Sequence, residues 1–454
     1  MCRTARQATR NNRVNMRRPF LKMVMTSLLT ASVMAGSSGS VYAFHDGGVA
    51  DCEGCHTMHN SYEGMSLTQT VAAGMTNIYL LKGSDPSSVC LNCHQRAGDV
   101  GPTAFHVSTA DTDMPIGTPP RQLPPGGDFG WLKKNYTWIP GLGAATQTSP
   151  GDSHGHNITA QDYGYFADAY KTTSPGGFYP ATNMGCTSCH DPHGKYRRFS
   201  DGSINTAGTP IKASGSLASS PDPDPLQAVG VYRLLGGVGY YPKALSAGFA
   251  FSYNPPAAVA PDNYNRSEAL TQTRVAYGAG MSDWCRNCHA NIHTDAALTP
   301  LKHPAGSPNG ILSLAYTSYY DQYIKDGDLT GSEANAYLSL APFEVGTSNH
   351  ATLKSIVTMT PPKGPSTSDG TPAVMCLSCH RAHASGWDGS MRWNNKTAKI
   401  VHNGTYSQES DPFQPFGQGR NALEAQKAYY DIPATSFAGE QNPLCYKCHA
   451  TGTK

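Results

Sequence analysis

Few stretches of this chain repeat apolar residues at a helical or strand period; short apolar pairs broken by Gly, Pro, Ser and Asn make up most of its length. Three segments do carry a helical signal. Near 311–324, Leu312, Tyr316, Tyr319 and Tyr323 fall on one face and predict a helix. Thr330-Gly331-Ser332-Glu333 has the form of a capping box and predicts a second, ending before Pro342. Asn421, with Glu424 three residues on, predicts a third that runs to about Tyr430. The Pro/Gly/Ser-rich stretches 114–127 and 205–225 read as loop, and no domain boundary stands out. The expected fold class is mostly irregular coil with short helices and few strands.

Such a chain needs a core from somewhere. Only 39% of its 454 residues are hydrophobic, and 47 Gly and 33 Pro leave little room for aliphatic layers. Disorder is excluded too, because charged residues are only 15% and there are 24 Tyr and 5 Trp. Thirteen cysteines and seventeen histidines supply the answer. Twelve of the cysteines form six Cys-x-x-Cys pairs, each followed at once by His: Cys52/Cys55/His56, Cys90/Cys93/His94, Cys186/Cys189/His190, Cys285/Cys288/His289, Cys376/Cys379/His380 and Cys445/Cys448/His449. This is the spacing of c-type haem attachment, in which two thiols bond to the vinyl groups and the adjacent imidazole ligates the iron. His after all six pairs has a chance probability of about one in a billion at this composition, so the spacing rule is decisive.

Other readings of the pairs fail. Zinc knuckles do not need His after each pair, and a thioredoxin-like site needs one pair on a βα unit. A disulfide framework would leave only Cys2 over. Six covalent haems in about 411 mature residues leave about 68 residues each, so the macrocycles form the core and the chain wraps them.

Residues 1–22 carry seven basic residues and no acid, an apolar run follows from Met23 to Gly36, and Val41-Tyr42-Ala43 resembles a cleavage site. Residues 1–43 therefore read as a signal peptide, with either Met1 or Met16 as its start, and 44–454 as a single exported haem domain. No later apolar stretch is long enough for a membrane span. Without the leader, 27 basic residues face 32 acidic ones, and no basic stripe is left to hold nucleic acid. Lys133-Lys134 and Lys195-Tyr196-Arg197-Arg198 are expected to be solvated or to pair with haem propionates.

The spare histidines bear on mechanism. In the first, third and fifth motifs a second His follows three residues after the ligand His: His59, His193 and His383. This alternation suggests haem pairs 1–2, 3–4 and 5–6. A His at plus three is held beside its own haem, cannot reach that iron's far side, and can ligate a neighbouring iron. His59, His193 and His383 are the strongest distal candidates, and His45, His106, His156, His293 and His303 compete for the other three places. His154, His350 and His402 are expected to be ordinary surface residues. There are enough histidines to make every iron bis-His, coordinatively saturated and suited to carrying electrons rather than binding substrate.

Several segments resemble the OmcS type of exported, filament-forming hexahaem cytochromes of metal-reducing bacteria. They are FHDGGVADCEGCHTMHN (44–60), CLNCHQRAGDVGPTAFH (90–106), PGGDFGWLKKNYTW (125–138), GHN (155–157), CTSCHDPHGKYRR (186–198), TRVAYGAGMSDWCRNCH (273–289), LTGSEANAYLSLAPFE (329–344) and CLSCHRAHASG (376–386). The likeness covers nearly all of the mature chain; 406–444 matches only loosely. The resemblance implies haems in alternating parallel and T-shaped pairs, continuous through subunit interfaces. It implies a head-to-tail homopolymer in which His59 leaves its own subunit and ligates the haem on Cys376 and Cys379 of the next, opposite His380. By the repeat, His193 then reaches haem 1 and His383 haem 3. The implied partners are upstream outer-membrane or periplasmic cytochromes and extracellular acceptors such as metal oxides, electrodes or partner cells. A monomeric multihaem shuttle is the alternative. A multihaem reductase would need an open iron, often marked by Lys in place of the motif His, and all six motifs end in His; no catalytic site is expected.

Overall fold

The computed structural model describes residues 52–57, 61–62, 65–66, 80–100, 104–141, 143–207, 215–242, 249–263, 272, 274–292, 304–323, 325, 328–408 and 417–449. All of them lie in the unit Ala43–Lys454. The expected signal peptide 1–43, His45, His59, His293 and His303 lie outside the described residues.

Backbone pairing is sparse and local, as a Gly/Pro-rich chain dictates. Among the described residues the α-helices are α1 (Cys52–Cys55), α2 (Pro86–His94), α3 (Met281–Cys285), α4 (Leu314–Gln322), α5 (His350–Val357), α6 (Cys376–Cys379) and α7 (Ala422–Ala428). Short antiparallel pairs of strands join β1 (Ser61–Tyr62) to β2 (Met65–Ser66) and β3 (Tyr136–Trp138) to β4 (Gln147–Ser149). One sheet has three strands, with β5 (Arg197–Arg198) between β6 (Ile204–Asn205) and β7 (Val229–Gly230). The last pairs are β8 (Ala258–Val259) with β9 (Ala276–Tyr277) and β10 (Val401–His402) with β11 (Thr405–Tyr406). No helix among the described residues is long and apolar enough to cross a membrane.

The third predicted helix forms as α7: Asn421 accepts from the Glu424 amide, and the Glu424 side chain returns to the Asn421 amide. The first forms as α4, but with a different face inward. Tyr320 is its buried residue, anchored by a hydrogen bond to the Ala341 carbonyl, while Tyr316 and Tyr319 are exposed. The second predicted helix does not form. The Thr330 hydroxyl binds Asp328, Ser332 closes a turn on Asn335, and the Ala336 carbonyl is taken by Lys447. Helix α5 was not predicted; Asn349 caps it, and Leu353, Ile356 and Val357 face inward.

Among the described residues three apolar clusters form the core, and each packs against motif cysteines. Phe129, Trp131, Trp387, Trp393 and Tyr429 lie with Cys186 and Cys379; Tyr232, Tyr277 and Met281 lie with Cys189 and Cys285; Tyr320, Tyr337 and Leu353 lie with Cys448. The basic runs depart from expectation. Arg197 and Arg198 are buried in the central strand β5 and donate to the carbonyls of Ala207, Gly202 and Pro255. Lys133 bonds Asp111 and the Tyr163 carbonyl, and Lys134 reaches the carbonyls of Met114 and Pro115.

Candidate haem sites

Each Cys-x-x-Cys-His stretch is one turn of helix. The His amide donates to the carbonyl of the first cysteine at 2.9–3.1 Å in His56, His190, His289, His380 and His449, and His94 ends α2. One turn is what brings two thiols and an imidazole to a common face.

The first, third and fifth motifs are then held by the same clamp. The residue after the motif His donates its amide to a carbonyl 2.7 Å away: Thr57 to Leu80, Asp191 to Leu234, Arg381 to Ser390. The three acceptors share a left-handed backbone, with φ of 51°, 55° and 56°. Two residues beyond each acceptor, Lys82, Gly236 and Arg392 return their amides to the second cysteine of the motif, Cys55, Cys189 and Cys379, at 2.8–2.9 Å. The clamp also orients the ligand ring: His190 Nδ1 donates to the Arg233 carbonyl and His380 Nδ1 to that of Gly389, both at 2.7 Å. In the even motifs His94 Nδ1 donates to Phe105 (2.5 Å) and His289 Nδ1 to Pro175 (2.8 Å). A carbonyl on Nδ1 fixes the tautomer that leaves Nε2 as the metal-binding nitrogen.

Consecutive motifs touch. The sulfurs of Cys90 and Cys186 lie within interaction range of each other, as do those of Cys285 and Cys376. The two contacts are built alike: Ser87 Oγ accepts from the Cys186 amide at 3.0 Å, and Ser282 Oγ from the Cys376 amide at 3.1 Å. Both serines stand three residues before the first cysteine of motifs two and four, a Ser-x-x-Cys signal legible in the sequence.

No protein-family model matches the chain. It is 53% identical over 437 residues to the C-type cytochrome OmcS of Geobacter sulfurreducens, covering 94% of this chain and 99% of that one. The chain belongs to the OmcS family of c-type cytochromes. Two solved structures, the cryo-EM OmcS nanowires and the outer membrane cytochrome S filament from the same organism, each superpose with a TM-score of 0.80 at 52% identity, over 90% of this chain and all of theirs. The architecture is thus the OmcS fold, with few and short regular elements.

Haem is the group of this family, and the spare histidines test the fit. The His193 ring faces the His56 ring at 6.4 Å between centres, with planes 14° apart, and His156 faces His289 at 6.2 Å. Two metal–nitrogen bonds of about 2 Å plus the depth of each imidazole come to about 6 Å, so each gap suits one metal ion between two rings. His156 Nδ1 donates to the Ala382 carbonyl at 2.8 Å, which leaves its Nε2 for metal. His383 Nδ1 donates to Gly127 at 3.2 Å, its ring stacks on Phe129 at 4.7 Å, and the His190 ring is the neighbouring charge that acts on it most. Burial holds His289 down at about 4 and His383 at about 3, so both rings are neutral at physiological pH, as metal ligation would require.

Other histidines are placed differently from expectation. His106, a distal candidate, has its Nε2 engaged by Asp128 (3.2 Å) and Thr109 (3.1 Å), while its buried Nδ1 has no hydrogen-bond partner. His154 and His350 are not surface residues. His154 is wholly buried, with Nδ1 on the Trp131 carbonyl and Nε2 on Ser149, and His350 is buried against Asp222. His402 is partly exposed and pairs with Glu440. The clamp carbonyls and the Gly126-Gly127-Asp128 cradle of His383 were not anticipated as site components. The paired glycines were the only trace of that cradle in the sequence.

Proposed function

We propose that this protein is an extracellular electron conduit: six covalent haems at the six motifs, bis-His throughout, in a chain that polymerises head to tail. The observation that carries this reading is the facing His56–His193 pair, because it joins the third motif's extra histidine to the first motif's ligand. When bound, haem supplies a one-electron carrier that needs no proton or substrate site. The residues of the chain do the rest. His56 with His193, His190 with His383, and His289 with His156 hold three irons; His94 and His449 take distal partners from His45, His293 and His303.

The repeat extends to the fifth site. The two plus-three histidines among the described residues follow one rule: the His193 ring faces that of His56, and His383 lies within electrostatic reach of His190. His59 belongs to the first motif and has no earlier one in its own subunit. His380 is the odd-motif ligand left to complete, so His59 of another copy closes it, and each joint then extends the line of sites. The OmcS relatives are named as nanowires and a filament, which supports the same assembly here. Saturated irons make the protein a carrier rather than an enzyme. Delivery to metal oxides, electrodes or partner cells, with outer-membrane or periplasmic cytochromes upstream, follows from an exported polymer.

Electron microscopy of the secreted haem protein, beside His59→Ala, tests this. Filaments with a regular subunit repeat in the wild type, fragmented or lost in the variant, are expected. Dispersed particles in both would leave a monomeric shuttle.

A further inference from the structure

The clamp is a threefold repeat in its backbone but not in its charges. The amide that closes it on the second cysteine belongs to Lys82, Gly236 and Arg392 in the first, third and fifth motifs. Arg392 is 3% exposed, and its guanidinium is locked on carbonyls: Nε to Leu377 (2.5 Å) and His380 (3.2 Å), Nη1 to Ser339 (3.2 Å). Its charge acts on both the Cys379 sulfur and the His380 ring. Arginine stays ionised at any physiological pH, so this is a permanent buried cation against the fifth site.

The third site is the counterpart. A cation cannot be installed at its equivalent position, because a Cβ at Gly236 would lie 2.3 Å from the Tyr240 ring. On its other side, the wholly buried Asp128 carboxylate accepts from the amides of Thr109 (2.9 Å), Gly130 (2.8 Å) and Gln122 (3.3 Å), from the Thr109 hydroxyl (2.7 Å) and from His106 (3.2 Å). These bonds hold Asp128 below the usual carboxylate range, and its charge reaches His383. Arg233 is the cation nearby, shared between His190 of the third site and His94 of the second.

We propose that Arg392 holds the reduction potential of the fifth site above that of the third, so that an electron in the subunit rests beside the subunit joint. Reduction removes one positive charge from an iron, and a fixed cation nearby favours the reduced form while a fixed anion opposes it. The transfer is one electron from a neighbouring site, with no proton or bond change. This inference rests on the six-haem reading given above.

Spectroelectrochemical titration of the purified haem protein tests it, alongside Arg392→Gln, Arg392→Lys and Asp128→Asn, with haem counted and spin state recorded for each. Arg392→Gln is expected to move one of six transitions to lower potential. Arg392→Lys should restore most of that shift although it loses the fork of bonds, which a purely structural role would not do. Asp128→Asn should move a different transition upward, and it stands as the test if Arg392→Gln does not fold. Superimposable titrations, or equal shifts in the Gln and Lys variants, would overturn the proposal while six low-spin haems leave the functional reading standing. Fewer than six haems or a high-spin fraction in the wild type would overturn that reading itself, and the proposal with it.

Discussion

His154 and His156 stand two residues apart and have opposite fates. His154 has both ring nitrogens engaged, by the Trp131 carbonyl (2.9 Å) and by Ser149 (2.8 Å), with an Arg420 nitrogen 3.2 Å from Nε2. His156 keeps Nε2 for the partner ring of His289. The sequence offers His156 as a candidate ligand and His154 as a surface residue, although both precede small or polar residues in a loop. Packing decides which nitrogens are taken by protein and which are left. Burial, with Arg420 beside it, pushes His154 down to about 3. An unfolded histidine takes its proton near pH 6.5, while the folded one refuses it until about pH 3. Stability from His154 is therefore complete above pH 6.5 and is lost progressively as pH falls through that window. Denaturation midpoints measured from pH 7 to 4 should fall more steeply in the wild type than in His154→Gln. Parallel slopes would contradict this account.

At the scale of elements, short backbone contacts set the sites more than helices do. The segment through Gly127 shows why. Gly127 has φ of +108°, and a Cβ there would lie 2.0 Å from the Ala384 carbonyl oxygen. Its own carbonyl holds His383, and the His383 amide donates to Gly126 at 2.8 Å. Gly127→Ala should thus cost about 2 kcal/mol or more, lower the melting temperature and disturb the His383 ring. A thermal melt together with the low-spin absorption bands checks both effects; an unchanged melt would refute the close approach. Helix α7 was legible because its cap and its hydrogen-bond partners lie within four residues. The segment 330–341 was not, because its backbone carbonyls and hydroxyls found better partners elsewhere, among them the buried Lys447 ammonium at 2.8 Å from Ala336. Capping residues state a preference, and tertiary contacts outbid it.

Across the whole molecule, each motif lies within electrostatic reach of the next, in sequence order. The sulfurs of motifs one and two act on each other through Cys55 and Cys93, two and three through Cys90 and Cys186, three and four through Cys189 and Cys288, four and five through Cys285 and Cys376, and five and six through Cys379 with Cys445 and Cys448. First cysteines interact at the second and fourth junctions, which join motif two to three and motif four to five. A distal ligand that crosses between motifs can be removed singly. His193→Ala is expected to convert one of six sites to high spin and leave the other five low spin, read by electron paramagnetic resonance and by the charge-transfer absorption of high-spin haem. Six low-spin sites in that variant would refute the His56–His193 assignment.

The six Cys-x-x-Cys-His motifs were legible in the sequence alone, because everything that defines them lies within one helical turn: two thiols, an imidazole and the amide-to-carbonyl bond that curls them together. The scarcity of regular structure was equally legible, from the Gly and Pro content and the weak apolar periodicity. What each described spare histidine lies against is seen only in the tertiary structure. His193 and His156 reach rings far away in the chain, and His106, equally plausible in sequence, is turned onto Asp128. The charges around each site belong to the same class, since Gly236 and Arg392 hold identical backbone places in two clamps with opposite electrostatic consequences. Local geometry is written in adjacent residues, whereas ligation and electric field sum over groups that only folding brings within a few ångströms.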